Sequence, residues 1–313
     1  VPYFHLVFTL PHELAPLALA NQRVVYHILF KAAAQTLLQV AADPQHLGAK
    51  IGFLAVLHTW GQKLNHHPHV HCVVPAGGLS PDESRWIAGR SDYFVPVQIL
   101  SNVYRAKFLD LLYRAYDAGQ IRFPGKLAGL RSPVAFKRHL ASSKQNDWVV
   151  YAKRPFGGPS QVVRYLARYT HRVAISNSRL VSLDGGKVSF LYKDYADGNS
   201  TKTATLSAFV FIRRFLLHVL PSGFTRIRYY GFLANRDRSR RLARCRELIG
   251  EQPSCVATET AAAAETPAEA QDAPPATRCP ACDVGHLQVL ATYPRPFLTP
   301  QILSRPAAIW DTS

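Results

Sequence analysis

The chain begins with an apolar, β-rich stretch, Tyr3-Phe-His-Leu-Val-Phe-Thr-Leu10, which predicts a strand closed by Pro11. From His12 to about Val40 apolar residues recur at helical spacing (Leu14, Leu17, Val24, Ile28, Ala32, Leu38), and alanine is frequent, so this segment reads as helix. Asp43-Pro44 and Gly48 turn the chain into a strand over Ile51–Thr59. A second strand follows through His69-Val70-His71 and is closed by Gly77-Gly78, with a short one near Ser84–Ala88. Helical periodicity returns over Ile99–Tyr116 and Pro133–Ser142, and Trp148–Lys153 alternates as a strand does. A helix is expected from Ser160 to about Arg172. Asp184-Gly185-Gly186 between two alternating runs predicts a hairpin. Leu206–Val219 is apolar enough for a buried helix, and Arg236–Arg246 reads as a basic helix.

This pattern predicts an α+β fold for residues 1–250. Composition then changes: residues 251–278 are rich in Ala, Glu, Pro and Thr and read as a disordered linker, followed by a short tail over 279–313. Charge follows the same division. The 313-residue chain carries 37 Lys+Arg against 20 Asp+Glu, a formal net charge of +17. Residues 251–313 hold three Lys/Arg and seven Asp/Glu, so residues 1–250 hold 34 against 13. A body that basic suits a polyanion, nucleic acid first and an anionic membrane second. No uninterrupted apolar run approaches the roughly 20 residues of a membrane span, and no glycine-rich loop followed by Lys-Ser/Thr implies ATP. The five cysteines are odd in number and scattered, which argues against a disulfide framework and for a reducing, cytoplasmic setting. Methionine is missing even at position 1, so an amino-terminal module is expected to precede this sequence.

Three stretches carry candidate chemistry. In His66-His-Pro-His-Val-His71, His69 and His71 are two apart on a predicted strand and so point to one face, as two imidazole ligands of a metal site would. Histidine runs also occur as solvated loops. In Tyr165-Leu-Ala-Arg-Tyr169, two tyrosines share a helix face beside Arg164, Arg168 and Arg172. Tyrosine can act as a covalent nucleophile, although such residues more often pack half-buried. In the tail, Cys279-Pro-Ala-Cys282 with His286 is half of a zinc site, which Cys245 or Cys255 could complete only by folding back.

Together, the stretch His66 to Gly78, the tyrosine pair and Arg228-Tyr-Tyr-Gly-Phe-Leu-Ala-Asn235 resemble the HUH nuclease superfamily, and within it the two-tyrosine rolling-circle transposases of the insertion sequence ninety-one family. The resemblance implies a central antiparallel sheet flanked by helices, with the histidines on a middle strand. It also implies a divalent ion, Mg²⁺ or Mn²⁺, on His69, His71 and a third ligand, for which Gln62, His5, His67 and His171 are candidates, Gln62 first. His66 and His67 could instead orient the ligands. One tyrosine, Tyr165 or Tyr169, would attack a DNA phosphate to leave a 5′-phosphotyrosine. The expected partner is single-stranded DNA at the ends of a mobile element, held by Arg164, Arg168, Arg172, Arg236, Arg238, Arg240 and Arg241. Family members carry an amino-terminal cysteine-rich module, and this sequence begins inside the catalytic domain. Two competing readings are a metal-dependent hydrolase of small molecules and a basic DNA-binding protein without catalysis.

Overall fold

The computed structural model describes residues 1–90, 95–144, 148–156 and 174–250, and the backbone of 277–278 and 286–287. The chain divides into two units, Val1–Cys255 and Val256–Ser313.

The first unit begins with β1 (Tyr3–Thr9), then α1 (Ala15–Ala20) and α2 (Gln22–Ala42). A hairpin of β2 (Gly52–Trp60) and β3 (His66–Pro75) is followed by β4 (Gly77–Leu79) and β5 (Trp86–Ala88). Next come α3 (Val97–Asp117), α4 (Pro133–Lys144) and β6 (Val150–Phe156). A three-stranded meander, β7 (Leu180–Asp184), β8 (Lys187–Asp194) and β9 (Ser200–Ser207), leads into α5 (Ala208–Leu216). The unit closes with β10 (Ile227–Gly231) and α6 (Arg238–Ile249). In the second unit β11 (Thr277–Arg278) pairs with β12 (His286–Leu287).

The central sheet is antiparallel with order β10-β2-β3-β1-β6, so the histidine strand β3 lies in its middle. This is the α+β architecture expected from the sequence. Strand alternation divides the sheet's two faces. Phe4, Leu6 and Phe8 of β1, Phe53, Ala55 and Leu57 of β2, and Val70, Cys72 and Val74 of β3 enter one core, together with Leu29, Phe30 and Leu37 of α2 and Tyr104, Phe108 and Leu112 of α3. The residues between them, including His5, His58, His69 and His71, therefore belong to the opposite face.

α2 has the length and apolarity to cross a bilayer, but Val25, Tyr26, Leu29, Phe30, Leu37 and Ala41 are buried in the core. Its apolar character is that of a central helix, consistent with the lack of an uninterrupted apolar run. The long helix expected from His12 is broken at Asn21, whose φ of −133° leaves the helical region. The Asn21 side chain donates to the carbonyls of Leu17 and Arg122 and accepts from the Arg122 amide, tying the break to the segment after α3.

One further expectation needs correction. Leu206–Val219 is not one buried helix: its first residues finish β9, a strand that its Ser/Thr/Lys-rich sequence hid. α5 begins with Ser207 as N-cap, whose hydroxyl accepts from the Val210 amide. Phe211 and Phe215 pack near Phe190, whereas Phe209, Ile212 and Leu216 are exposed. The hairpin turn is as expected, with Gly185 and Gly186 both at positive φ.

One glycine pins the sheet edge. Gly231, opposite Gly52, has a φ of +60°, and a Cβ there would lie 1.8 Å from the Ile51 carbonyl oxygen. Gly231→Ala is expected to cost about 3 kcal/mol or more, because strain and a backbone clash combine. A urea midpoint that falls by less than about 0.5 M at an unchanged slope would contradict this.

Candidate metal centre

β2 and β3 bring three imidazoles together. His69 and His71 share a face of β3 because they are two residues apart, and His58 of β2 lies directly opposite His69. The ring centroids of His58 are 4.1 Å from His71 and 5.4 Å from His69, and those of His69 and His71 are 4.8 Å apart. One ligand nitrogen from each of the three falls within 4.8 Å of the others.

The rings are held by groups around them. His69 Nδ1 donates to the His67 carbonyl at 2.6 Å, which puts its proton on Nδ1 and leaves the Nε2 lone pair for a cation. His71 Nδ1 and His5 Nε2 are 2.7 Å apart, and their rings stack at 7°. With the shared proton on His71 Nδ1, its Nε2 is likewise left to ligate. His5, weighed as a third ligand, therefore acts from behind His71, and His67 supplies its carbonyl rather than its ring.

Burial keeps His58 and His69 neutral, the form that binds metal. The His58 pKa is well below the usual 6.5, first through burial and then through the positive charges of a protonated His69, of Arg226 and of a protonated His5. His69 is held at about 4, chiefly by burial. Three imidazole donors with nitrogens within 4.8 Å of one another, two with the opposite nitrogen occupied, fit a divalent transition-metal ion.

A second group lies on the core face of β3. Tyr26 Oη and His66 Nε2 are 2.8 Å apart, and His218, bonded to Thr59 and to the Leu64 carbonyl, stacks 6.5 Å from His66. His66 is thus a core histidine braced by α2, with its pKa lowered to about 4 by burial and then by His218 and His67. Because the folded pKa values of His66 and His69 lie below the unfolded value of 6.5, the unfolded chain takes up more protons on acidification. The stability they contribute is complete above pH 6.5 and is lost as pH falls from 6.5 towards 4, by about 3 kcal/mol each. In a chelator, the melting temperature should be flat above pH 7 and fall through this window. A flat profile down to pH 4.5 would show that these rings titrate normally.

Gln62 does not join the cluster. Its amide nitrogen donates to Tyr195 Oη at 3.0 Å and its side-chain oxygen accepts from the Lys193 amide at 3.3 Å, so both ends face the β7–β9 meander. The reason is positional: Gln62 lies beyond the end of β2, in the turn into β3, rather than on a strand facing the other ligands. His58 was missed as a candidate ligand. The signal was its place on the preceding strand, but its register opposite His69 depends on a bulge between His58 and Trp60.

Other predicted site residues are more dispersed. Arg236, Arg238 and Arg240 are exposed around the start of α6, with the Arg238 guanidinium over Tyr229, while Arg241 is half-buried. Cys245 of the same helix is buried with Leu79 and Phe232, and burial pushes its thiol up to about 11, which fits a core residue better than a zinc ligand. Tyr165, Tyr169, Arg164, Arg168, Arg172 and His171 lie outside the described residues, as do Cys255, Cys279 and Cys282.

Comparison with known proteins bears on the whole chain. The Y2_Tnp family, described as "Putative transposase", matches residues 52–241. A "Putative transposase y4qJ" of Sinorhizobium fredii is 49% identical over 312 residues, covering 99% of this chain and 77% of that protein. The "Transposase for insertion sequence element IS801" of Pseudomonas savastanoi pv. phaseolicola is 32% identical over 240 residues, 75% of this chain and 55% of that one. Among solved structures the likeness is faint: the conjugative relaxase TrwC in complex with mutant OriT DNA gives a TM-score of 0.28 at 16% identity, over 78% of this chain and 73% of that one.

Proposed function

Because the chain belongs to the Y2_Tnp transposase family, we propose that it is a DNA strand transferase that cleaves single-stranded DNA with a divalent metal and holds the cut end through tyrosine. The observation that carries this reading is the convergence of His58, His69 and His71 within 4.8 Å. The +17 charge of the chain supplies the attraction for DNA.

In this mechanism His58, His69 and His71 would hold the ion, His67 and His5 would fix the ligand tautomers, and the apolar core behind β2 and β3 keeps the donors in place. When bound, the ion supplies Lewis acidity at a phosphate oxygen. The phenol oxygen of Tyr165 or Tyr169 attacks phosphorus, loses its proton to solvent and forms the 5′-phosphotyrosine bond. The bond to the 3′ oxygen breaks, and that oxygen takes up a proton to become a free 3′-OH. Attack by another 3′-OH on the phosphotyrosine reverses these changes and joins strands, so the phosphodiester energy is conserved and ATP is not consumed. Two tyrosines allow a second strand to be held before the first is released.

Three imidazoles form a softer donor set than Mg²⁺ prefers, so Mn²⁺ is expected to support the reaction at lower concentration. The direct test is to incubate the full chain with a single-stranded oligonucleotide from an element end and Mn²⁺, then resolve the products on a denaturing gel. A DNA-shifted protein band that is lost in EDTA supports the reading. DNA binding without any adduct at any metal concentration would leave a non-catalytic DNA-binding protein.

A further inference from the structure

Resting on the cleavage reading above, we infer that the cavity between the end of β2 and the β7–β9 meander is a pocket for one unstacked base of single-stranded DNA, next to the phosphate held at the histidines. The cavity has a volume of about 350 Å³, and its walls include Trp60, Ile175, Leu191 and Tyr192, with Arg179 and Lys193 beside them. That volume is near the lower end for small-molecule sites, roughly 300–1,000 Å³, and suits one nucleoside.

Trp60 belongs to both sites. Its ring lines the cavity and stacks on His58 at 4.9 Å and 16°, so one indole separates the pocket from a candidate metal ligand. Trp60 and Tyr192 give the cavity two aromatic walls against which a base can pack. Arg179 and Lys193, which also line the cavity, place positive charge where the attached phosphates would run.

The walls are fixed without a ligand. Arg179 donates from Nε to the Leu191 carbonyl at 2.7 Å and from a terminal nitrogen to the Gln62 carbonyl at 2.6 Å. Gln62 is in turn bonded to the Lys193 amide and Tyr195. These bonds clamp the meander to the end of β2, so the distance from pocket to histidines is set before DNA arrives. Gln62 thus braces the pocket wall.

The experiment walks a single abasic position along a single-stranded oligonucleotide from an element end and measures equilibrium binding by anisotropy in EDTA, where no cleavage occurs. One position should lose about tenfold or more in affinity, the size expected when one stacked base is removed. Tyr192→Ala, which removes a wall, and Ile175→Trp, which fills the cavity, should each weaken the intact oligonucleotide by about tenfold and cause no further loss on the oligonucleotide abasic at that position. Thermal melts confirm that both variants fold. A flat scan, or variants that weaken every oligonucleotide equally, overturns the pocket. A coupled position without any covalent adduct in Mn²⁺ keeps the pocket and removes the cleavage reading; an adduct with a flat scan does the reverse.

Discussion

Replacing both Tyr165 and Tyr169 with phenylalanine is expected to abolish the covalent protein–DNA adduct while leaving single-strand affinity within about twofold. The change removes only the attacking oxygen; each ring keeps its size and its capacity to stack. A phenol has an ordinary pKa near 10, so roughly one molecule in a thousand is ionised at neutral pH, and attack depends on a phosphate already positioned and neutralised. Loss of the oxygen therefore removes the reaction rather than slowing it by a modest factor. The single variants separate the roles: the tyrosine that acts first should be indispensable for the initial adduct, and the other only for strand transfer. Undiminished adduct from the double variant, read on a denaturing gel, would sink the nucleophile assignment.

The second large effect is expected at the imidazoles. His69→Ala should weaken Mn²⁺ binding by about a hundredfold or more and reduce metal-dependent cleavage by on the order of 10²–10³. His58→Ala should do the same, although His58 lies on the preceding strand. His5→Ala, which removes only the partner of His71, should cost about tenfold. Gln62→Ala should leave Mn²⁺ affinity unchanged, since its amide is bonded to the meander. Calorimetric titration with Mn²⁺ reads affinity independently of cleavage. If Gln62→Ala loses the metal and His58→Ala keeps it, the ligand set proposed here is wrong.

Much of this protein was legible because strands and helices have short periods. Alternation placed Phe4, Leu6 and Phe8 on one side of β1, and the same rule put His69 and His71 together on β3. Gly185-Gly186 declared its hairpin, since few other residues accept positive φ at two successive positions. β9 was hidden because Ser200–Ser207 is paired along β8 yet largely exposed, so it lacks the apolar signal by which strands are recognised. α5 was misjudged because apolar residues surround much of it, and composition does not say which of them faces the molecule.

The sequence by itself determined the fold class, the placing of His69 and His71 on one face of a strand, the positive charge of the body, and the family. Each is written in local spacing or bulk composition. Only the tertiary structure decided that His58 joins His69 and His71 and that the Gln62 side chain turns to the meander. Counting back regularly from Trp60 opposite His66 would set His58 against Pro68; the bulge between His58 and Trp60 moves it opposite His69. A one-residue shift decides which side chains meet across a hairpin, and that shift is settled by packing of the whole sheet rather than by the residues in the turn.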